Sequence, residues 1–351
     1  MLNNNKYIND VIVTFKTFLF VTTTISFLTI STIEASEVGV RSGGSSGSSL
    51  SQIRKSEFTV STGHKTGYFT YQIGGLISAG GETLFLHFPL SELRFPLDAY
   101  TVRGSYLMEL NNQWRIRFEM ETNYSSYSGK MEDSDWGVKS LIVEGAINDP
   151  ESLDIFSRTR SDLSLKDYSL HFEKMNGKYQ DPFGITLWST YLGFGMAVQD
   201  YDFEMSDGLQ IYPSTGVPPD TLTGKGLIYN FFQITPYISV LFKTPDKKQF
   251  QFSLDLSLSP FVHIADYDNH ILRNKISDGS TDGWSAKSQV FADWQLNSTV
   301  DLFLTMSSQY TKANGWQIQT NNDAGSISKA KVKLKHISQQ NNVLVGIRSL
   351  L

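Results

Sequence analysis

The sequence predicts an all-β protein, a ten-stranded antiparallel transmembrane β-barrel, and three observations lead to this prediction. Apolar and polar residues alternate over long segments, as in Trp114 to Glu121. Short polar turns such as Asn111-Asn112-Gln113 alternate along the chain with longer irregular stretches. The alternating segments number about ten, and bacterial barrels of this kind have an even number of strands, with short turns at one rim and longer loops at the other.

The N-terminal residues 1–35 have the features of a secretory signal peptide. Lys6 and Lys16 precede an apolar and hydroxylic run from Thr17 to Thr32. Ala35 after it is a small residue at the expected cleavage position. The run is shorter than the roughly 20 apolar residues of a membrane-spanning helix. We therefore expect export, followed by a Gly/Ser-rich linker over 36–56 and a barrel domain over 57–351.

Composition narrows the class of protein further. The chain has 351 residues, no cysteine and a formal net charge of −5. Because an exported protein without cysteine has no disulfides, its stability depends on packing and strand pairing. The mild acidity argues against a nucleic-acid partner. We expect a monomer in the cell outer membrane that contacts membrane lipid and needs no cofactor.

The lengths of the alternating segments support a membrane barrel. Many run 15–20 residues, whereas the mean strand of a soluble protein has about 5–6. Such lengths suit tilted strands that extend beyond the bilayer, with both chain ends at the periplasmic rim. The strands are expected at roughly 57–73, 88–110, 114–128, 162–176, 183–205, 222–243, 249–268, 282–295, 299–315 and 328–349. The long loops are expected at 129–160, 206–222, 271–283 and 314–328.

The alternation also predicts which side chains face the lumen. We expect Arg115, Arg117 and Glu119 to point into the lumen, together with the lysine ladder, defined as Lys329, Lys331, Lys333 and Lys335. The side chains expected on the lipid face are Ile116, Phe118 and Leu254, with Trp114 and Phe250 in an aromatic belt. A basic side chain on the lipid face at mid-bilayer would cost about 2–4 kcal/mol.

Two acidic clusters at strand ends are the candidate functional residues. Asp133 and Asp135 form one pair, and Asp268 and His270 form the other. In an extended chain the i, i+2 spacing places both side chains on one face, roughly 6.5 Å apart. Paired carboxylates and a carboxylate beside an imidazole are the groups that can activate a water molecule.

Less specific interpretations of the same residues remain open. Aspartates are common in solvated loops and turns, so each cluster alone is weak evidence for catalysis. His263, Asp266, Asp268 and His270 could also bind Zn²⁺, but residues 263 and 270 have opposite parity in a strand, so a bend would be needed.

The second cluster presents a conflict of parity. Asp268 and His270 share the parity of Phe252 and Leu254, which should face lipid. A regular strand would therefore point the pair outwards. Either a β-bulge near Pro260 reverses the alternation, or strong twist above the bilayer reorients the chain.

In these two clusters the chain resembles the omptin family, whose members are ten-stranded outer-membrane endoproteases. The segment Met131 to Trp136 is similar to the omptin motif with the catalytic aspartate pair, and Asp266-x-Asp268-x-His270 is similar to the segment with the catalytic Asp–His pair. The resemblance implies that Asp133, Asp135, Asp268 and His270 are catalytic. It also implies that Asp266 helps to bind a basic side chain before the scissile bond.

The resemblance implies an endopeptidase that cleaves peptides or proteins near basic residues, with lipopolysaccharide as a further partner. The chain departs from the family at Gly67-Tyr68, where omptins have a second acidic specificity residue, and at Asp200-Tyr201-Asp202, where a basic cluster would hold lipopolysaccharide. The alternative is a non-catalytic barrel that acts as a porin or as a structural outer-membrane protein.

Overall fold

A computed structural model describes residues 55–147, 149–180, 187–245, 249–323 and 326–351. The predicted signal peptide and nearly all of the predicted linker lie outside the described residues. Within the described ranges, no helix is long and apolar enough to cross a membrane. The structure is almost entirely β, as the sequence predicts.

In the described part of the chain, twelve strands make up the sheet, and one short helix and one 3₁₀ turn accompany it. The strands are β1 (Lys55–Ala79), β2 (Glu82–Phe85), β3 (Ser91–Glu109), β4 (Trp114–Asn123), β5 (Tyr127–Trp136), β6 (Leu153–Gln180), β7 (Leu187–Ile211), β8 (Asp220–Lys243), β9 (Phe250–His270), β10 (Lys275–Gln295), β11 (Val300–Asp323) and β12 (Ser326–Leu350). The helix α1 is Lys139–Ile142, and the 3₁₀ turn is Ile271–Arg273.

The twelve strands form a closed antiparallel ring with ten positions around its wall. Strand β1 pairs with both β12 and β3, which closes the ring. Strands β4 and β5 lie end to end and share a single position in the wall, since each pairs with β3 on one side and with β6 on the other. Strand β2 is a short addition that pairs with β1. The predicted ten-stranded barrel is therefore confirmed, with one wall position divided into two strands.

The two rims of the barrel differ in the way that the sequence predicts. Glu57 is directly opposite Leu350, so the two ends of the barrel domain lie at one rim. The short turn 110–113 between β3 and β4 lies at this turn rim, where Asn111 caps it by accepting hydrogen bonds from the backbone of Gln113 and Trp114. The opposite rim, called the loop rim here, has both acidic clusters near its strand ends.

The strands near the loop rim extend further than the sequence predicts. Most of the stretches 129–160, 206–222, 271–283 and 314–328, expected as loops, belong to strands. In β10, for example, the inward positions Ser277, Gly279 and Thr281 are small or hydroxylic. Beyond the apolar band the outer face contacts water, so neither face needs a run of large apolar residues. The alternation that identifies a lipid-facing strand therefore fades where the strand continues.

Side chains fill the described lumen in two layers. The layer towards the turn rim is ionic: Arg117 Nη2 lies 2.9 Å from Glu173 Oε1 and 3.4 Å from Asp255 Oδ2, and Arg115 pairs with Glu173 as well. The layer towards the loop rim is apolar and aromatic; its largest buried side chains are Phe69, Tyr71, Phe95, Tyr201, Phe203, Tyr229 and Phe231. A barrel of this size is just wide enough for side chains to occupy its interior.

The outer face of the turn-rim half follows the predicted pattern. Arg115 and Arg117 point inwards, so the alternate residues Ile116 and Phe118 lie on the outer face, opposite Phe172 and Leu170. Large exposed apolar side chains cover this half, among them Phe58, Val60, Leu192, Phe194, Ile238, Phe250, Phe252, Leu256, Leu258, Trp294, Val345 and Ile347. This apolar band is the surface that suits lipid.

The predicted orientation of the lysine ladder is wrong. Lys331 and Lys333 are exposed on the outer face, and the intervening Val332 and Leu334 are buried in the apolar layer. Lys331 Nζ lies 4.7 Å from the centre of the Trp316 ring. Because this part of β12 borders the apolar layer rather than the ionic one, the apolar residues turn inwards and the lysines turn outwards.

A β-bulge in β9 resolves the conflict of parity. Ser259 is opposite Ser285 and Val262 is opposite Gly283, so Pro260 and Phe261 together face the single residue Trp284. Before the bulge the odd-numbered residues are the more buried set, and after it the even-numbered residues from Val262 to His270 are buried. Because the bulge places two consecutive residues on the outer face, the even-numbered Asp268 and His270 face into the barrel.

Candidate active site

Strand β9 delivers Asp268 and His270 to the loop rim as a contacting pair. His270 Nε2 lies 2.9 Å from Asp268 Oδ2, at ion-pairing distance. Tyr71 on β1 donates its hydroxyl to the same Asp268 oxygen at 3.2 Å, and Gln317 Nε2 donates to the Tyr71 hydroxyl at 2.9 Å. Side chains from β1 and β11, neither of which neighbours β9 in the sheet, thus reach across the lumen and hold the carboxylate in place beside the imidazole.

Strand β5 delivers the other acidic pair to the same rim. Asp133 and Asp135 are buried on the inner face, while the alternate residues Glu132 and Ser134 are turned outwards. Asp133 is opposite Leu93 of β3 and Ser157 of β6, so its backbone is fixed on both sides. The i, i+2 spacing therefore places both carboxylates on one face, as predicted.

Arg273 connects the two clusters. This residue ends the 3₁₀ turn that follows His270, and its Nη2 lies 3.9 Å from Asp133 Oδ2 and 3.8 Å from Asp135 Oδ2. Strands β5 and β9 are not neighbours in the sheet. The structure therefore brings Asp133, Asp135, Asp268 and His270 to one site at the loop rim, although the chain separates the two pairs by more than a hundred residues.

The acidic pair on β5 retains a proton near neutral pH. Burial and the neighbouring Asp135 carboxylate raise the pKa of Asp133 to about 8, with Arg273 and Lys275 acting in the opposite direction. Two close carboxylates resist double ionisation, so the proton belongs to the pair. At neutral pH this pair can donate one hydrogen bond and accept others.

This shift predicts a pH dependence of stability. The pKa of Asp133 is raised on folding from 3.8 to about 8, so the folded state binds more protons between these pH values and stability falls as pH rises. We expect Asp133→Asn to become more stable than wild type, by on the order of 1 kcal/mol or more, as pH rises from 5 to 9. Urea unfolding in detergent at both pH values measures this difference. Glu132→Gln, on the outer face of β5, is the matched control. If the difference in unfolding free energy between Asp133→Asn and wild type is the same at pH 5 and pH 9, the raised pKa of Asp133 is contradicted.

Asp266 lies deeper than the other candidates and is in contact with a residue that the sequence analysis did not select. Its Oδ2 accepts a hydrogen bond from the Tyr229 hydroxyl at 3.0 Å and lies 2.9 Å from His336 Nε2. The side chain of Asp266 is 0% exposed and that of His336 is 1% exposed. Its predicted role in substrate binding stays a prediction. His336 is 70 residues from Asp266 in the sequence. The contact is visible only in the three-dimensional structure, where the register of β12 places His336 beside Asp266.

The structure separates the residues of the alternative zinc site. His263 is on the outer face, where its Nδ1 lies 2.9 Å from Asp282 Oδ1, while Asp266, Asp268 and His270 point inwards. Among the described residues, no group of three or more His, Cys, Asp and Glu side chains is arranged to hold a metal ion. The bulge that turns Asp268 inwards is also what leaves His263 outside.

A solved outer-membrane barrel agrees with this fold. The chain superimposes on the outer membrane protease OmpT from Escherichia coli with a TM-score of 0.67 at 15% sequence identity, over 85% of this chain and 97% of that chain. The outer membrane protein OprG from Pseudomonas aeruginosa gives a TM-score of 0.32 at 11% identity, over 86% of this chain and 99% of that chain. No curated protein sequence matches the chain.

A model of the omptin family matches residues 72–349, which include both acidic clusters and every strand from β3 to β11. This is most of the barrel domain, and the ten wall positions and the OmpT-like fold agree with the match. The chain therefore belongs to the omptin family.

Proposed function

We propose that this chain is an endopeptidase in which Asp268 and His270 activate a water molecule for attack on a peptide bond. At the level of its family the chain is an outer-membrane protease. The observation that carries the finer proposal is the meeting of Asp133, Asp135, Asp268 and His270 at one rim, from strands that are not neighbours.

In the proposed mechanism each pair has a separate task. His270 accepts a proton from water while Asp268 orients the imidazole and stabilises its positive charge, as a carboxylate does in other hydrolases. The resulting hydroxide attacks the carbonyl carbon of the scissile bond. The proton shared by Asp133 and Asp135 is donated to the carbonyl oxygen as negative charge develops there. His270 then gives its proton to the departing amine as the C–N bond breaks. The carbonyl forms again as its oxygen returns the proton to Asp133 and Asp135, which restores the site.

A preference for cleavage near basic residues is part of this proposal. The position of Arg273 supports it, because a guanidinium lies within 3.9 Å of both Asp133 and Asp135. A basic side chain of the substrate could take the place of this exposed arginine. The binding role assigned to Asp266, the dependence on lipopolysaccharide and the monomeric state stay predictions.

The non-catalytic alternative has less support as a pore than as a structural barrel. The ionic layer around Arg117 and Glu173 and the aromatic layer around Tyr229 both lie across the lumen. The lumen cavity lined by Arg117, His171 and Lys287 encloses about 60 Å³, which is room for a few water molecules.

The test is cleavage of a peptide library by the refolded protein, read by mass spectrometry with and without added lipopolysaccharide. We expect wild type to cut peptides near basic residues and His270→Ala to lose cleavage by several orders of magnitude. His263→Ala is the matched control. Like His270, this histidine contacts an aspartate, but its partner is Asp282 of β10 and the contact lies on the outer face. Full cleavage by His270→Ala would contradict the role of His270, and no cleavage by folded wild type would leave the structural barrel as the function.

A further inference from the structure

A second Asp–His pair lies inside the barrel beneath the candidate active site. Asp266 is two residues before Asp268 on the same face of β9, which places it roughly 6.5 Å deeper along the strand. His336 enters from β12 and contacts Asp266 Oδ2 at 2.9 Å. Tyr229 donates its hydroxyl to the same oxygen at 3.0 Å. One face of the carboxylate is therefore already occupied by groups of the protein itself.

The imidazole of His336 is held on all sides. Its Nδ1 lies 2.9 Å from Thr281 Oγ1, so both ring nitrogens have partners. The rings of Phe69, Tyr71 and Phe231 surround it with centroid distances of 5.2, 6.1 and 6.4 Å. Because the ring is wedged between aromatic neighbours and tethered at both nitrogens, it has no vacant space into which to move aside.

The other carboxylate oxygen of Asp266 is different. Asp266 Oδ1 is buried and has no hydrogen-bond partner among the described residues. A Cβ at Gly279 would lie 1.8 Å from this oxygen, so the absence of a side chain at Gly279 makes room for the carboxylate. Asp266 thus has the capacity for a further partner at Oδ1, while Oδ2 is already in contact with His336 and Tyr229.

We propose that His336 is a specificity-determining residue, which occupies Asp266 and makes the subsite beneath the catalytic pair accept an uncharged side chain. The inference rests on the proposed function and refines it. The substrate residue just before the scissile bond then contacts the rings of Tyr71 and Tyr229 rather than a carboxylate. Recognition of a basic residue elsewhere in the peptide is left to the rim, where Arg273 lies between Asp133 and Asp135.

The inference follows from the cost of the alternative. A guanidinium or ammonium group could reach Asp266 only after His336 had lost its contacts with Asp266 and Thr281. Leaving a buried polar group unpaired is unfavourable because the group loses its hydrogen bonds to water without replacement, and an uncharged substrate side chain avoids this cost. If the imidazole is removed, the buried carboxylate is left without its main partner, and a substrate cation can then take that place.

The first experiment measures which residue stands immediately before the cut bond in a peptide library. For wild type we expect uncharged residues there, at least tenfold over Arg and Lys. His336→Ala should shift this ratio towards Arg and Lys by at least tenfold, and Asp266→Asn added to His336→Ala should abolish the shift. His336→Phe, which keeps a ring in the space, should retain the wild-type ratio.

A binding measurement makes the test independent of turnover and of any loss of folding by one variant. Agmatine, a small guanidinium compound, is titrated calorimetrically into refolded wild type, His336→Ala and the double variant with Asp266→Asn. We expect at least tenfold tighter binding to His336→Ala than to either of the others. If His336→Ala does not fold, Asp266→Asn in the wild-type background provides the test, and its ratio of basic to uncharged cleavage should equal that of wild type.

The inference and the proposed function fail in different ways. If wild type cuts directly after Arg or Lys and Asp266→Asn selectively removes that cleavage, Asp266 binds the substrate and the inference is overturned while the protease function stands. If folded wild type and all variants cut nothing, the proposed function fails. Equal agmatine binding to wild type and His336→Ala would overturn the role of His336 whether or not peptides are cut.

Discussion

Asp268→Asn is expected to reduce kcat by about four orders of magnitude while the barrel stays folded. The amide keeps the shape of the carboxylate and can still contact Tyr71, but it lacks the negative charge that stabilises a protonated His270. Orienting carboxylates in other hydrolases have effects of this size. The loss should fall on kcat rather than KM, because the interaction is strongest when the imidazole carries its proton.

Two comparisons make this measurement specific to the site. Asp282→Asn is the matched control, because Asp282 contacts His263 in the same way on the outer face and its side chain is 82% exposed. Folding is checked by the change in electrophoretic mobility on heating, which reports a closed barrel. If folded Asp268→Asn keeps more than a tenth of wild-type kcat, Asp268 does not orient the catalytic imidazole.

Deletion of Pro260 and Phe261 together is expected to abolish cleavage although the membrane-facing part of β9 is unchanged. The bulge at Pro260 and Phe261 is what reverses the alternation between Ser259 and Val262. A shift of one residue moves every following side chain to the opposite face. Deletion of Phe261 alone would only make the strand regular, with Pro260 outside and Val262 inside as in wild type. Deletion of both residues joins Ser259 to Val262, so Asp268 and His270 should point out of the barrel, where neither can meet Asp133.

The orientation of β9 in the deletion variant can be measured by cysteine labelling, because the chain has no cysteine of its own. A single cysteine replacing Ile264, which is fully buried in wild type, should become reactive to a water-soluble thiol reagent in the deletion variant. Phe261→Leu is the control, because it keeps the chain length at a site that is 75% exposed and should retain cleavage within about twofold. Retained activity in the deletion variant would mean that twist, and not the bulge, orients the site.

The sequence predicts strands and side-chain orientation most accurately where one face of a strand contacts lipid. The alternation from Trp114 to Glu121 predicted both the strand and the inward direction of Arg117, and the structure has both. The i, i+2 spacing within Asp133/Asp135 and within Asp268/His270 was sufficient to predict that each pair shares a face. The conflict of parity in β9 was also visible, because Pro260 interrupts a pattern that is otherwise regular.

The predictions failed where the outer face no longer contacts lipid. The extended parts of β10 and β11 were expected as loops, since small polar residues on both faces carry no signature of a strand. The lysine ladder was placed in the lumen on the assumption that charge always faces inwards. In the loop-rim half the interior is aromatic, so Lys331 and Lys333 face outwards and Val332 faces inwards.

By itself, the sequence determined the class of fold, the number of wall positions and the composition of each acidic pair. These features depend on local periodicity, and a period of two is encoded within a few neighbouring residues. Only the tertiary structure decided which residues meet across the lumen: Arg273 with Asp133 and Asp135, Tyr71 with Asp268, and His336 with Asp266. Such contacts depend on closure of the ring and on the register of strands far apart in the chain, and no local pattern in the sequence specifies either.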